Sequence, residues 1–285
     1  MGVVKVVGGV ALVRADEVSD PEAYVKRILS THPRIKAVIK YWGVEGVYRT
    51  PRVEVLWGHP PSSILYREYG VEYELDPLSL MFSLGNKFER LRVSRLVRRW
   101  ETVVDMFAGV GQFSLPIAFH ARPKKVYSIE LNPRAFSFLE RNIERNRLSD
   151  VIEPIQGDCR VVAEKIGPVA DRIVMGYILD TLGFLPYALK MLGRAGGIIH
   201  LHSLVRRGSE QDFALEAERA VLSHGFAAKV VKMRRVKSYS PSKNHIVIDL
   251  FAVSERPPSS EEPAALGSQP SAPGYLASDR PRSGP

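Results

Sequence analysis

The chain has 285 residues, 45% of them hydrophobic, a net charge of +9 and a pI near 9.6, which suits one large or two modest domains and leads us to expect a polyanionic partner. A single cysteine, Cys159, excludes an internal disulfide and a multi-cysteine metal site. No apolar run approaches the ~20 residues of a membrane span, and residues 1–13 are interrupted by Lys5 and read as a strand, not a signal peptide; a cytoplasmic protein is expected.

Residues 1–75 read as a small α+β module, with strands near 3–13, 36–41, 52–57 and 64–74 and a helix at 20–30. A connector, 76–100, follows. It carries Arg90, Arg92, Arg95, Arg98 and Arg99 around one predicted helix, on which Arg92, Arg95 and Arg99 share a face. Residues 101–254 alternate strand and helix, the pattern of a doubly wound parallel sheet. Strands are predicted at 102–106, 125–130, 151–156, 171–176, 196–202, 226–234 and 245–253. Helices are predicted at 112–121, 133–147, 159–166, 181–193 and 209–224. Asn132 before Pro133 is a cap followed by a first-turn proline. The last two strands read as a hairpin, which puts an antiparallel strand in the sheet. Residues 255–285 hold seven prolines and almost nothing bulky, so a disordered tail is expected there.

The chemistry concentrates at three strand ends. The first strand of the alternating region holds Asp105 and runs into a turn with Gly109 and Gly111; without Cβ atoms there, backbone can approach a ligand closely. Such a turn is also met as a plain strand-to-helix connection. The second strand ends in Glu130, suited to a ribose diol. The third ends in Asp158, placed to reach an adenine amino group, with Cys159 packing beside the ring. Ser114 stands where a dinucleotide site would place its third glycine, which favours S-adenosylmethionine over a dinucleotide. Phe107, Ala108 and Gly109 form the floor of this site, and Asp105 orients the loop. Further basic groups, Arg206 with Arg207 and Lys229, Lys232, Arg234, Arg235, Lys237 and Lys243, read with the connector arginines as a nucleic-acid surface. Tyr239 is placed to stack on a base. His200 and His202 alternate on one strand without acidic or cysteine ligands nearby and read as packed histidines, so no metal is expected.

The stretch 104–114, then Glu130 to Pro133, Gly157 to Arg160, and the connector's Phe82, Ser83, Asn86, Lys87, Glu89 and Arg90 together resemble the archaeal and eukaryotic tRNA enzymes that act at guanosine 37. The resemblance covers roughly residues 60–253. It implies a Rossmann-like class I methyltransferase fold, S-adenosylmethionine as donor without a metal, and a monomer acting on a tRNA anticodon loop. It also implies that Ser83 and Arg90 reach the donor's amino-acid end, with Arg90 the candidate catalytic group; a tRNA phosphate contact and an internal ion pair are the other uses open to Arg90. One branch of the family methylates guanosine and carries Asn-Pro-Pro or Asn-Leu-Pro after its fourth strand. Here that place is Gly176, Tyr177 and Ile178. With Thr181, Phe184, Leu185 and the 199–202 stretch, this resembles the archaeal wyosine-pathway branch, which transfers a 3-amino-3-carboxypropyl group to 4-demethylwyosine in tRNA(Phe). The alternative is a guanosine-37 or wyosine methyltransferase with an altered fourth motif.

Overall fold

The computed structural model describes residues 4–255; apart from Glu255, the tail expected over 255–285 lies outside them. Four strands, β1 (Lys5–Val7), β2 (Val10–Arg14), β3 (Ala37–Glu45) and β4 (Thr50–Gly58), form the first sheet in that order. The run expected as one strand over 3–13 is a hairpin, because Gly8 and Gly9 both take positive φ (56° and 81°) and reverse the chain. Helix α1 (Pro21–Thr31) starts at Asp20, whose side chain accepts from Ala23 N at 3.1 Å. It buries Tyr24, Val25 and Ile28 against Ala11, Val13 and Val38. The stretch 64–74 is likewise a hairpin, β5 (Ile64–Glu68) and β6 (Val71–Leu75), turning at Tyr69 and Gly70. Helix α2 (Lys87–Leu96) ends before Arg99, so Arg92, Arg95 and Arg99 do not share one helical face.

Seven strands make the main sheet: β7 (Thr102–Asp105), β8 (Lys125–Glu130), β9 (Ile152–Gln156), β10 (Arg172–Met175), β11 (Gly197–Arg206), β12 (Phe226–Ser238) and β13 (Lys243–Ser254). Their order is β12-β13-β11-β10-β7-β8-β9, parallel except for β13, which runs antiparallel to both neighbours. Helices α3 (Ser114–Ala121), α4 (Pro133–Arg145), α5 (Cys159–Ile166), α6 (Leu185–Met191) and α7 (Glu210–Leu222) connect them. Only α6 is much shorter than expected, because Thr181–Phe184 wind as a 3-10 turn. This is the expected doubly wound α/β fold. The strand order reverses at β7, with β8 to one side and β10 to the other, and such a switch point opens a crevice at the carboxyl ends of the strands.

Two sets of polar contacts fix the preceding elements over that crevice. Asn142 on α4 and Asn146, which caps its C-terminal end one turn later, act as a surrogate strand for the edge of β6. Asn142 accepts from Glu74 N at 2.6 Å and donates to Glu74 O and Val110 O, both at 3.1 Å. Asn146 accepts from Glu72 N at 2.9 Å and donates to Glu72 O at 2.7 Å. Helix α2 is held by a buried relay. Arg92 donates to Glu89 and, at 2.6 Å, to Asp249; Asp249 accepts from His200 Nδ1 at 2.6 Å; Arg172 donates to His200 Nε2 at 2.9 Å and pairs with Glu101 at 2.6 Å. With the arginine donating to Nε2, the proton of His200 sits on Nδ1 and the ring is neutral. Burial lowers the pKa of His200 in agreement with that. The two histidines are thus packed inside the sheet's flank, both fully buried.

Replacing Asn142 by Ala leaves three backbone groups unpaired, two of them on β6. The expected cost is ~2–4 kcal/mol, read as a lower urea midpoint. A loss under ~0.5 kcal/mol would show that water replaces these bonds freely.

Candidate active site

The site is built from the turn between β7 and α3. Asp105 ends β7 fully buried; its carboxylate accepts from Ser114 Oγ at 2.7 Å, Ser114 N at 3.2 Å and Phe107 N at 3.3 Å. These bonds tie the first turn of α3 back to its strand. Burial pushes the Asp105 carboxyl up to about 6 against the pull of those donors. Gly109 and Gly111 have φ of 58° and 94°. A Cβ on Gly111 would lie 2.6 Å from Leu115 Cγ, so no side chain fits. Gly109 faces open space, with only Gln112 Nε2 at 3.4 Å from where a Cβ would stand.

The turn and the end of β8 hold each other. Glu130 accepts from Gly109 N at 2.6 Å through one carboxylate oxygen and from Asn132 N at 2.7 Å through the other. Burial raises its pKa, and these backbone donors oppose the rise. Each oxygen keeps a lone pair for a further donor, such as a diol hydroxyl. At the end of β9, Asp158 caps α5 by accepting from Arg160 N at 2.9 Å and pairs with the Arg160 guanidinium at 2.6 Å. The Arg160 hydrogen bond holds its carboxyl below the usual carboxylate range. Cys159 is buried, and burial pushes its thiol up to about 12, so it acts as a packing group and not a nucleophile.

A cavity of about 730 Å³ opens over these strand ends, bounded on its far side by residues of β3, β4 and the loop between them. Of the eight residues expected at the site, Ser83, Phe107, Gly109, Glu130, Asp158 and Cys159 line it. Ala108 lies behind the wall: its carbonyl accepts from Gly111 N at 2.9 Å and Gln112 N at 3.0 Å, so it shapes the turn. Arg90 also lies outside the lining. It is fully buried in a two-bond pair with Glu68 (2.8 and 2.7 Å), and its remaining nitrogen donates to Ser83 O at 2.8 Å. Of the three uses open to Arg90 from the sequence, the structure contains the internal ion pair; its effect on the cavity runs through the position of Ser83. Arg92, read as a surface cation, is spent on Glu89 and Asp249. Arg95, Arg98, Arg99, Arg206, Arg207, Lys229, Arg235 and Lys243 remain exposed.

Three lining residues escape the sequence reading of the site. Tyr177 stacks on Phe107 with ring centroids 5.3 Å apart, and Phe184 meets Phe107 edge-on at 5.1 Å. Together they make an aromatic wall after β10, with Arg49 of the β3–β4 connection 5.5 Å above the Tyr177 ring. The signal for Tyr177 is its place two residues beyond the end of β10, the parallel neighbour of β7. Lys237, counted above among surface cations, turns inward and donates to Ser83 Oγ at 2.9 Å.

A glycine turn with a clamped acid on the next strand, in this strand order, defines a class I methyltransferase-like fold. S-adenosylmethionine fits the donors and acceptors present. Glu130 has acceptor capacity for a ribose diol, the open side of Gly109 admits close approach, and the aromatic wall suits a purine or a sulfonium. A family model described as the TRM5/TYW2 methyltransferase domain matches residues 64–233. A Methanocaldococcus jannaschii protein named tRNA(Phe) (4-demethylwyosine(37)-C(7)) aminocarboxypropyltransferase is 36% identical, over 85% of this chain and 95% of its own. The tRNA 4-demethylwyosine(37)-methyltransferase Taw21 of Saccharolobus solfataricus is 34% identical, over 87% of this chain and 93% of its own. The crystal structure of M. jannaschii TYW2 in complex with AdoMet matches with a TM-score of 0.71 and 29% identity, covering 88% of this chain and 99% of that one. The chain belongs to the TRM5/TYW2 family.

The Asp105 carboxyl, pushed by burial from the ordinary aspartate range up to about 6, binds its proton more tightly folded than unfolded. Its contribution to stability is full below pH ~4 and lost as pH rises through ~6, about 3 kcal/mol in all. In Asp105→Asn that step is gone, so the urea midpoint changes less between pH 4 and pH 7 than in the parent protein. Equal slopes in the two proteins would show that Asp105 ionises in the fold without penalty.

Proposed function

We propose that this protein transfers the 3-amino-3-carboxypropyl group of S-adenosylmethionine to 4-demethylwyosine at position 37 of tRNA(Phe), releasing methylthioadenosine, as a step in making wyosine derivatives. The observation that carries the choice of group is the loop after β10. Its residues, Gly176, Tyr177 and Ile178, offer no side-chain amide to a nitrogen nucleophile, and their one polar side-chain atom is the hydroxyl at the tip of Tyr177; the rings of Tyr177 and Phe107 stack into an aromatic wall. Ile178 O is used by Leu204 N at 3.2 Å and Tyr177 O by the Thr181 hydroxyl at 3.0 Å, so two of the loop's three carbonyls are also engaged. A wall of this kind suits a flat tricyclic base whose reacting centre is a ring carbon.

Bound S-adenosylmethionine supplies a sulfonium whose departure as a neutral thioether makes any of its three attached carbons open to displacement. What the protein does is position. Glu130 receives the ribose hydroxyls, Asp158 and Cys159 hold the adenine, Gly109 admits the backbone contact, and Ser83 lies on the amino-acid side. Tyr177 and Phe107 exclude water and flank the incoming base. His245, which lines the cavity, is pushed down to about 3 by burial and is a neutral, weak base at neutral pH. Orientation therefore supplies most of the rate, as in-line placement can.

On the same reading residues 101–254 are the donor-binding catalytic domain, 76–100 a connector that adjusts Ser83, and 1–75 a module over the cavity mouth. The exposed cations take the phosphates of the tRNA anticodon loop, and the enzyme works as a cytoplasmic monomer. The relative that methylates the same base at 34% identity is the reason to keep methyl transfer as the second reading.

The test is nucleoside mass spectrometry after incubation with tRNA(Phe) carrying 4-demethylwyosine. An adduct heavier by one aminocarboxypropyl group, with methylthioadenosine as co-product, is expected; a methyl adduct with S-adenosylhomocysteine would replace this reading by the second one. Glu130→Ala is expected to weaken S-adenosylmethionine binding about tenfold or more in calorimetry, since hydrogen bonds to a charged group are lost, while tRNA affinity stays unchanged. Equal loss of both ligands would contradict the ribose assignment.

A further inference from the structure

Lys237 is a cation inside the cavity, and none of the acids among the described residues forms an ion pair with it. Its Nζ donates to Ser83 Oγ at 2.9 Å and sits above Gly85, where a Cβ would come within 3.2 Å of it. The charged groups that bear on it are both positive: Lys5 of β1, and Arg90 of α2, itself paired with Glu68 of β5. His245, opposite it in the β12–β13 register, is neutral. Among the described residues no carboxylate lies within ion-pair distance of Nζ. An ammonium has three donors, and one is used. Burial, then Lys5 and Arg90, push its pKa down to about 8, the direction expected of a cation held where its charge is unsupported. Leaving a half-buried charge unpaired costs free energy, and an arriving anion would recover it.

The surroundings narrow what anion that is. Asn86 lies in the same short turn as Ser83, accepted through its backbone N–H by Ser83 O at 3.1 Å, and lines the same cavity. Its side-chain Oδ1 is buried with no hydrogen-bond partner. A cation and an unused neutral acceptor, both bonded to Ser83 and both lining one cavity, complement a zwitterion: the cation takes a carboxylate and the acceptor an ammonium. A phosphate would use the cation and leave Asn86 idle. The position agrees. Ser83 N donates to Gln112 Oε1 at 3.0 Å, so this turn is fastened to the far side of the glycine turn from Glu130. Along the sheet edge the lining runs from Asp158 at β9 through Glu130 at β8 and Phe107 after β7 to His245 on β13 and Lys237 on β12. A ligand with its nucleoside on β8 and β9 has its remaining end toward β12.

We propose that Lys237, with Ser83 and Asn86, is the receptor for the α-amino-acid end of the donor, Lys237 taking the carboxylate and Asn86 the ammonium. This rests on the reading of the cavity as a S-adenosylmethionine site. An anchor at β12 holds the far end of the carbon limb, and so fixes where along it the sulfonium's Cγ can lie.

The test is calorimetry on the full chain, Lys237→Met and Lys237→Arg, with three probes: S-adenosylmethionine, methylthioadenosine, which has the same nucleoside without the limb, and unmodified tRNA(Phe). Lys237→Met is expected to lose about tenfold or more in affinity for S-adenosylmethionine, the size of a charge-assisted hydrogen bond. Affinities for methylthioadenosine and tRNA stay unchanged, and Lys237→Arg recovers most of the loss. Three results overturn the inference. Unchanged S-adenosylmethionine affinity with weaker tRNA binding makes Lys237 a phosphate contact. Equal loss of both nucleosides makes it a wall residue. Binding of methylthioadenosine and S-adenosylmethionine with the same affinity by the parent protein means the limb has no receptor at all. Failure of the parent protein to bind either nucleoside is a different result: it removes the S-adenosylmethionine reading of the cavity itself.

Discussion

One short backbone turn carries the site. Between β7 and α3 the chain reverses through two residues with positive φ, and a buried carboxylate, Asp105, holds the far side of the reversal by three hydrogen bonds. The near side offers the Gly109 N–H to Glu130. Strand β8 therefore delivers its acid to a place defined by β7. Each neighbour depends on this pair: the carbonyl of Val110 is tied to α4 by Asn142, and Gln112 is tied to the connector by Ser83. A side chain at Gly111 would displace Leu115 and α3 with it.

The rest of the chain is organised to bring a roof and a side wall to that turn. The asparagine pair of α4 satisfies the open edge of β6, which lets a two-stranded hairpin sit on a helix with its backbone paired. Arg90 joins the same hairpin to the connector through Glu68 and sets the carbonyl of Ser83. The relay from Glu89 to Glu101 through Arg92, Asp249, His200 and Arg172 binds α2 across three strands. Buried ion pairs of this kind add little net stability against apolar packing. Their consequence here is geometric, since they fix the connector that carries Ser83 and Asn86.

The sequence makes the local features plain and the long-range partnerships obscure. The strand ends at Asp105, Glu130 and Asp158 are readable because each is written within a few residues: apolar run, acid, turn. The β1–β2 and β5–β6 hairpins are missed because their turns fall inside otherwise apolar or alternating runs, at Gly8 and Gly9 and at Tyr69 and Gly70. Arginine roles are the least legible. Arg90 finds its acid 22 residues away and Arg92 finds one 157 residues away, so nothing in the basic cluster of α2 distinguishes these buried groups from exposed Arg95. Lys237 is hidden for the same reason, one member of a basic strand whose inward-facing position emerges only once β12 is bulged and paired with β13. Tyr177 is visible in the sequence as the wrong residue for a methylating loop, yet its stacking on Phe107 is a fact of the fold.

The most direct test of this account is a crystal structure of the protein soaked with S-adenosylmethionine. The ribose hydroxyls on Glu130 and the carbon limb directed along the sheet toward β12 are the predicted outcome. A ribose bound away from Glu130, or a limb folded back behind the glycine turn with the methyl facing Tyr177, would contradict it.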